Sequence, residues 1–378
     1  MERKRIIISA ISDLVTDQRV HRTALTFSKQ GWKVTLIGRK LKNSLPLNAR
    51  RYKAFRFKLW FEKGPLFYAA YNIRLFFYLI FKKFDLLVAN DLDTLPANYL
   101  ASRIKRKPLI YDSHEFFTGV PELKKNAFAR KTWLTIERLI FPRLKYVITV
   151  NDSIANLYRN LYHKEVRVIR NIPEVRLLAE PFDRNEIRKN IPLDSSKKWL
   201  ILQGAGINVD RGAEEAVLSM QYVDSAVLLI IGSGDVITKL KQMVRDYKLE
   251  NKVAFMDKMP FDKLINYTRA ADAGLTLDKD TNLNYRYSLP NKLFDYVHAG
   301  IPVLASNIIE VRRIVEEFDI GLIIDNHDPR HIAEKITSMF ADEDRYARWK
   351  QNILTAQRKL NWSAEEKKLL ELAYEIFR

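Results

Sequence analysis

The chain alternates short, continuously apolar runs with longer helical stretches, and it does so twice. RIIISAIS, KVTLIGR, DLLVAND, PLIYDSH, YVITVN and VRVIRN fall in the first half, separated by segments such as TDQRVHRTALTFSKQG and NAFARKTWLTIERLIF. KWLILQGAG, AVLLIIGSG, KVAFMD, AGLTLD, PVLAS and IGLIID repeat the pattern in the second half. Apolar strands without alternation, each followed by a helix, require a parallel sheet covered on both faces. At 378 residues the chain exceeds what one core usually supports. The expected fold class is therefore α/β, with two doubly wound Rossmann-like domains facing across a cleft. Between the two patterns, Ile172 to Lys198 carries Pro173, Pro181 and Pro192 among many charges and has no sustained strand pattern. The division this predicts is a first domain over 1–175, a linker over 176–197, a second domain over 198–358, and a C-terminal helix over 359–378. That helix, with Leu369, Leu370, Leu372, Ala373 and Ile376 as its apolar positions, is expected to cross back to the first domain.

Several classes are excluded by what the chain lacks. Without a single cysteine there is no disulfide scaffold, thiolate metal site or cysteine nucleophile, which fits a reducing, cytoplasmic setting. The apolar run in MERKRIIISAISD ends after six or seven residues with no small-residue cleavage site, so it reads as a first strand rather than a leader. No stretch reaches the roughly 20 apolar residues that span a bilayer. The nearest, Pro65 to Phe81, contains Asn72 and Arg74.

Charge is unevenly placed. The net +19 divides into +22 for residues 1–200 and −3 for 201–378. Residues 39–83 hold twelve basic residues against the single acid Glu62, interleaved with aromatics such as Tyr52, Phe55, Phe57, Trp60, Phe61, Phe67, Tyr71 and Phe77. Such a face fits an anionic membrane surface. It also fits single-stranded nucleic acid, or a buried Rossmann helix with solvated lysines at its ends.

In open α/β sheets, ligands bind beyond the carboxyl ends of the strands. There the second half presents QGAGINVDRGAEEAV, in which Gly204, Gly206 and Gly212 leave the backbone open before a helix near Arg211. The loop suits a phosphate, and equally suits a tight turn that needs glycine. YSLPNKLFDYVHAGIPVLAS, residues 287–306, is more specific. Pro290 can open a helix, placing Asn291 and Lys292 at its N-terminus and Asp295 one turn beyond Asn291 on the same face. A lysine at a helix N-terminus is electrostatically misplaced unless an anion binds there. An acid at that spacing can accept hydrogen bonds from a ribose, as in dinucleotide sites. A nucleoside diphosphate satisfies both.

This segment resembles the donor-binding signature of the retaining, two-Rossmann-domain (GT-B) glycosyltransferases of the group 1 or family 4 type, in the form PNKLFDY-x-x-AG-x-PV. DQRVHRTALTFSKQGWKVTLI resembles that family's N-terminal segment, YDSHEFF its acceptor-side histidine loop, RNIPE its pre-linker motif, and the Arg-Gly of NVDRGAEEAV its basic donor-phosphate position. The resemblance spans nearly the whole chain in the right order. It implies that Arg211 and Lys292 hold the donor diphosphate, with Gly206 and Asn291 beside them, that Asp295 binds the donor ribose, and that His114 lies near the acceptor and the transferred sugar. Two positions depart from the family. Its two glutamates are here Tyr287 and Asp295, and the arginine that usually precedes the basic position by five is Gly206.

His114 ends the strand PLIYDSH, and its expected role is hydrogen bonding and charge stabilisation as the leaving phosphate departs. Arg19, Asp91, Asp93 and Glu115 are the acceptor-side candidates. Asp91-Leu92-Asp93 looks like a metal-binding pair, but two carboxylates are too few for a metal site and the basic residues supply the charge a metal would. The expectation is a metal-free, cofactor-free retaining transferase. It would be peripheral on the inner face of the membrane, moving a sugar from a nucleotide-sugar donor to a lipid-linked or glycan acceptor in envelope polysaccharide synthesis. A sugar-nucleotide epimerase of the same fold is the alternative, and a nucleic-acid-binding protein the third reading.

Overall fold

A computed structural model describes residues 3–15, 17–120, 123, 126–174 and 182–378. The chain forms two compact units, Met1–Asn171 with Glu365–Arg378, and Ile172–Ala364. The stretch 176–181 of the expected linker lies outside the described residues.

In the first unit seven parallel strands lie in the order β3-β2-β1-β4-β5-β6-β7. They are β1 (Arg5–Ser9), β2 (Lys33–Lys40), β3 (Lys53–Lys58), β4 (Leu86–Asn90), β5 (Leu109–Ser113), β6 (Tyr146–Thr149) and β7 (Arg167–Val168). Every residue of β4 and β5 is buried, as the continuous apolar runs require of strands covered on both faces. The order reverses between β1 and β4, and just past that reversal the adjacent carboxyl ends of β4 and β5 bring Asp91 and the Asp112–His114 stretch together. Helix α1 (Gln18–Lys29) starts at Asp17, whose carboxylate accepts the Val20 N–H and satisfies one of the helix's open donors. The long helix α2 (Gly64–Phe81) buries Phe67, Tyr71, Leu75 and Leu79, one residue per turn, and Tyr71 donates from its hydroxyl to the Ala10 carbonyl at 2.8 Å. The C-terminal helix (Trp362–Phe377) closes this unit from Glu365 onward. Trp32 meets Tyr374 and Phe377 edge to face at 5.6 and 5.3 Å, and the Glu365 carboxylate accepts the Arg170 N–H at 2.9 Å.

The second unit repeats the plan with six parallel strands in the order β10-β9-β8-β11-β12-β13. These are β8 (Lys198–Gly204), β9 (Ala226–Gly232), β10 (Val253–Met256), β11 (Ala273–Thr276), β12 (Val303–Ser306) and β13 (Gly321–Ile324). The reversal falls between β8 and β11. Two glycines near the carboxyl ends of the central strands are sterically required. A Cβ on Gly212, at φ +72°, would lie 2.1 Å from the Leu277 carbonyl oxygen, and one on Gly232, at φ +147°, would lie 1.8 Å from that of Gly204. Residues 184–189, inside the stretch expected as linker, form a helix belonging to this unit. Arg188 is buried and donates to the Ala270 carbonyl and, at 2.7 Å, to Asp272, which also accepts the Trp199 N–H at 2.7 Å. No helix among the described residues is long and apolar enough to cross a membrane.

Candidate functional site

In the second unit the donor candidates converge beyond the carboxyl ends of β8 and β11. The helix Asn291–Ala299 begins after Pro290 with no side-chain cap, so its first N–H groups and its dipole face outward beside Lys292. Lys292 Nζ lies 3.7 Å from Asp278 Oδ1, and Arg211 Nη1 lies 3.3 Å from the same oxygen. The Arg211 guanidinium also stacks over Tyr285, 4.3 Å from the ring centre. Burial pushes the Lys292 ammonium below its ordinary range; Asp278 pulls it back up and Arg211 pushes it further down. Asp295, one turn on, is buried and accepts a hydrogen bond from Gln203 Nε2 at 3.0 Å, while Thr268 donates to the other end of the Gln203 amide at 2.7 Å. Asn291 is exposed at the first position of the helix. Gly206 stands in an open loop where an added Cβ would come no closer than 3.6 Å to the Asn208 side chain.

In the first unit His114 sits between carboxylates. Its Nδ1 lies 3.1 Å from Asp91 Oδ2, and its Nε2 lies 3.5 Å from Asp112 Oδ2 and 3.2 Å from Asn90 Oδ1. Asp91 adopts the left-handed conformation at φ +58°, uncommon for a residue with a side chain, and its Oδ1 accepts the His114 N–H at 2.8 Å. One carboxylate thus fixes both the backbone and the ring of the histidine. Burial alone would push the imidazole down, but Asp91 and Asp112 hold it well above its ordinary range, which favours the imidazolium. Arg19 is buried with Asp112. Its Nη2 donates at 2.6 Å and its Nε at 3.0 Å to that carboxylate, and Nη1 donates to the Ile169 carbonyl at 2.7 Å. Burial works against the Asp112 charge, yet Arg19 and His114 hold the carboxyl down at about 2. Asp93, which follows Asp91, is held well above the usual carboxylate range by burial and then by the Asp91 charge. Glu115 is exposed beside the histidine.

A folded-state pKa of about 2, below the ordinary 3.8, means that Asp112 adds stability above pH 4 and loses it as the pH falls toward 2. The linkage amounts to about 2 kcal/mol. Urea unfolding should therefore show Asp112→Asn less stable than the parent at pH 6, with the deficit shrinking by that amount near pH 2. An unchanged deficit would contradict the assignment of the charge to Asp112.

The structure brings Arg211, Lys292 and Asp295 to one end of the second sheet, and Asp91, Asp112 and His114 to one end of the first. Arg19 is drawn inward as the partner of Asp112. Two residues were not singled out by sequence reasoning: Asp278, the counter-charge of both Arg211 and Lys292, and Gln203, the partner of Asp295. Each stands at the end of an apolar run, in AGLTLD and KWLILQ, where a polar residue is itself the signal.

Residues 183–355 match the family model described as glycosyl transferases group 1, and residues 17–172 match that of glycosyltransferase family 4. A D-inositol 3-phosphate glycosyltransferase of Xylanimonas cellulosilytica is 23% identical over 197 residues, covering 49% of this chain and 43% of the relative. The chain spans about half the length of the curated relatives it matches. Among solved structures, a sucrose-phosphate synthase from Thermosynechococcus elongatus superposes with a TM-score of 0.80 at 18% identity, over 99% of both chains. WaaG, a glycosyltransferase involved in lipopolysaccharide biosynthesis, gives 0.71 at 14% identity over 97% of this chain and 98% of its own.

Proposed function

The chain belongs to the group 1 glycosyltransferases, and from that premise we propose that it moves a sugar from a nucleotide-sugar donor to a lipid-linked or glycan acceptor, retaining the anomeric configuration, in assembly of an envelope polysaccharide. The observation that carries this reading is the pairing of Arg211 and Lys292 about one point beside an uncapped helix N-terminus, with the buried acid Asp295 one turn further on. Two cations and a helix dipole suit a diphosphate, and the acid suits a ribose. The charge a metal would supply is already present in Arg211 and Lys292, so the transfer is proposed to need none. In the first unit His114, whose imidazolium is favoured by two carboxylates, is the proposed source of positive charge for the reaction. With retention, the departing phosphate itself can take the acceptor proton, so no separate base is required.

A membrane surface is proposed as the second partner, at the inner face. The outward face of α2 exposes Leu66, Ile73, Phe77 and Phe81, and Trp60 just before it is 98% exposed. Lys58, Lys63, Lys82 and Lys83 flank this stripe and are exposed. Apolar residues bordered by lysines match the boundary between acyl chains and anionic headgroups. The similarity to WaaG supports an envelope acceptor.

Lys292→Ala and Arg211→Ala test the donor reading. Each removes a charge-assisted contact of about 1.5–3 kcal/mol, so affinity for the nucleoside diphosphate should fall by roughly 10- to 150-fold. Calorimetric titration with UDP, GDP and ADP reads this directly. Parental affinity in both variants would refute the phosphate assignment.

A further inference from the structure

Asp278 is almost completely buried, yet its hydrogen bonding is poor. Oδ1 is shared between Arg211 at 3.3 Å and Lys292 at 3.7 Å, and Oδ2 has no hydrogen-bond partner among the described residues, nor has the buried Arg211 Nε. A purely structural ion pair looks different in this same unit. Asp272 gives one carboxylate oxygen to Arg184 and the other to Arg188 and the Trp199 N–H, the last two at 2.7 Å. Good charge-assisted bonds measure about 2.7–2.9 Å, and a buried carboxylate that lacks them stabilises a fold poorly. The geometry at Asp278 instead suits cations kept together but ready to exchange partner.

We infer that Asp278 is a positioning residue of the donor site, whose carboxylate is the counter-charge that lets Arg211 and Lys292 stand together before a diphosphate binds. This rests on the donor reading above and adds to it a residue outside the family signature. Two like charges converging on one point repel, and burial further disfavours a charged lysine. The charged groups that face Lys292 are Asp278, from the segment after β11, and Arg211, from the loop after β8. Of these, Asp278 alone favours the ammonium. The diphosphate then replaces the carboxylate as the partner of both cations, and Asp278 remains to keep Lys292 protonated in the unliganded protein.

Asp278→Asn keeps the shape and removes the charge. The probe is whichever of UDP, GDP and ADP the parent binds most tightly, titrated calorimetrically between pH 7 and 9.5. Titration of the nucleotide itself is common to both proteins and cancels in the ratio of their dissociation constants. Lys292 binds as the ammonium, so affinity declines as the pH rises through its titration. Without Asp278 that decline should begin at lower pH by about one unit or more, making the variant-to-parent ratio about tenfold larger at the alkaline end than at pH 7. Asp278→Glu should return the decline to the parental pH, and Asp278→Ser, which leaves room for water, carries the same expectation as Asn should the amide fail to fold. A uniform change in affinity with the pH profile unmoved would reduce Asp278 to a structural residue and overturn the inference, leaving the donor reading intact if Lys292→Ala still weakens binding. A parent that binds none of the three nucleotides would remove both.

Discussion

His114→Ala is expected to lower turnover by about 100- to 1,000-fold, measured as nucleoside diphosphate released from the sugar-nucleotide, while changing diphosphate affinity by less than about threefold. The split follows from where the residues sit. The proposed diphosphate contacts belong to Arg211 and Lys292 in the second unit, whereas His114 is held in the first by Asp91 at 3.1 Å and Asp112 at 3.5 Å. A fixed positive charge costs no reorganisation at the moment of reaction, and its effect is greatest as charge separates between sugar and phosphate. The pH dependence has a definite sign. On the proposed role the active form is the imidazolium, raised well above 6.5 by its two carboxylates, so parental turnover should hold through neutrality and fall only as the pH rises through that elevated value. Asp91→Asn removes the nearer carboxylate charge and should bring the fall to lower pH without abolishing turnover. A His114→Ala variant with parental turnover would take the residue out of the reaction, and an alkaline limb unmoved by Asp91→Asn would disconnect its charge from the rate.

The two parallel sheets were legible because most of their strands are uninterrupted apolar runs, whereas β3, with three basic residues in KAFRFK and only Phe57 buried, has no such run and is absent from the sequence reading. Less local features were hidden. Arg188 lies in a proline- and charge-rich stretch that reads as linker, and its buried guanidinium is explained by distant partners, the Ala270 carbonyl and Asp272, 84 residues away. Asp91 stands in an Asp-x-Asp pair, a pattern that on sequence alone draws attention to metal binding. Its part in holding both the N–H and the ring of His114 depends on a left-handed backbone that no residue pattern announces. Lys292 and Asp295 are singled out by helix spacing, which is local, but Asp278 and Gln203 reach them from the segment after β11 and from β8. Composition also treated residues 39–83 as one face. The fold divides its aromatics by helical period, burying Phe67 and Tyr71 against the sheet while Trp60 and Phe77 point outward.

That division makes the membrane reading sharper and decides which charges to remove. Arg50 donates to Tyr52 and to the Leu14 carbonyl, and Arg56 to the Asp13 carbonyl, so changing either would disturb the fold of the first unit. Lys53, Lys58, Lys63, Lys82 and Lys83 are exposed and lie at the two ends of β3 and α2. An 18-residue helix is about 27 Å long, so these lysines bracket an outward apolar stripe that could lie flat in a headgroup layer. Each basic group near an anionic surface contributes about 1 kcal/mol, and replacing all five with Gln should weaken association with vesicles containing phosphatidylserine by more than about a thousandfold. Parental binding should itself decline with added salt, since exposed charges are screened over about 10 Å at 0.1 M. Trp60→Ala tests the apolar part separately, weakening association at high and low salt alike, because an aromatic ring at headgroup depth is not screened. Diphosphate binding should be unchanged in all these variants, since the residues proposed for it lie in the other unit. Co-sedimentation with neutral and anionic vesicles at two salt concentrations is decisive. A parent that ignores anionic vesicles at low salt would end the membrane assignment, and one that instead retains single-stranded nucleic acid through the same lysines would reassign the face to that partner.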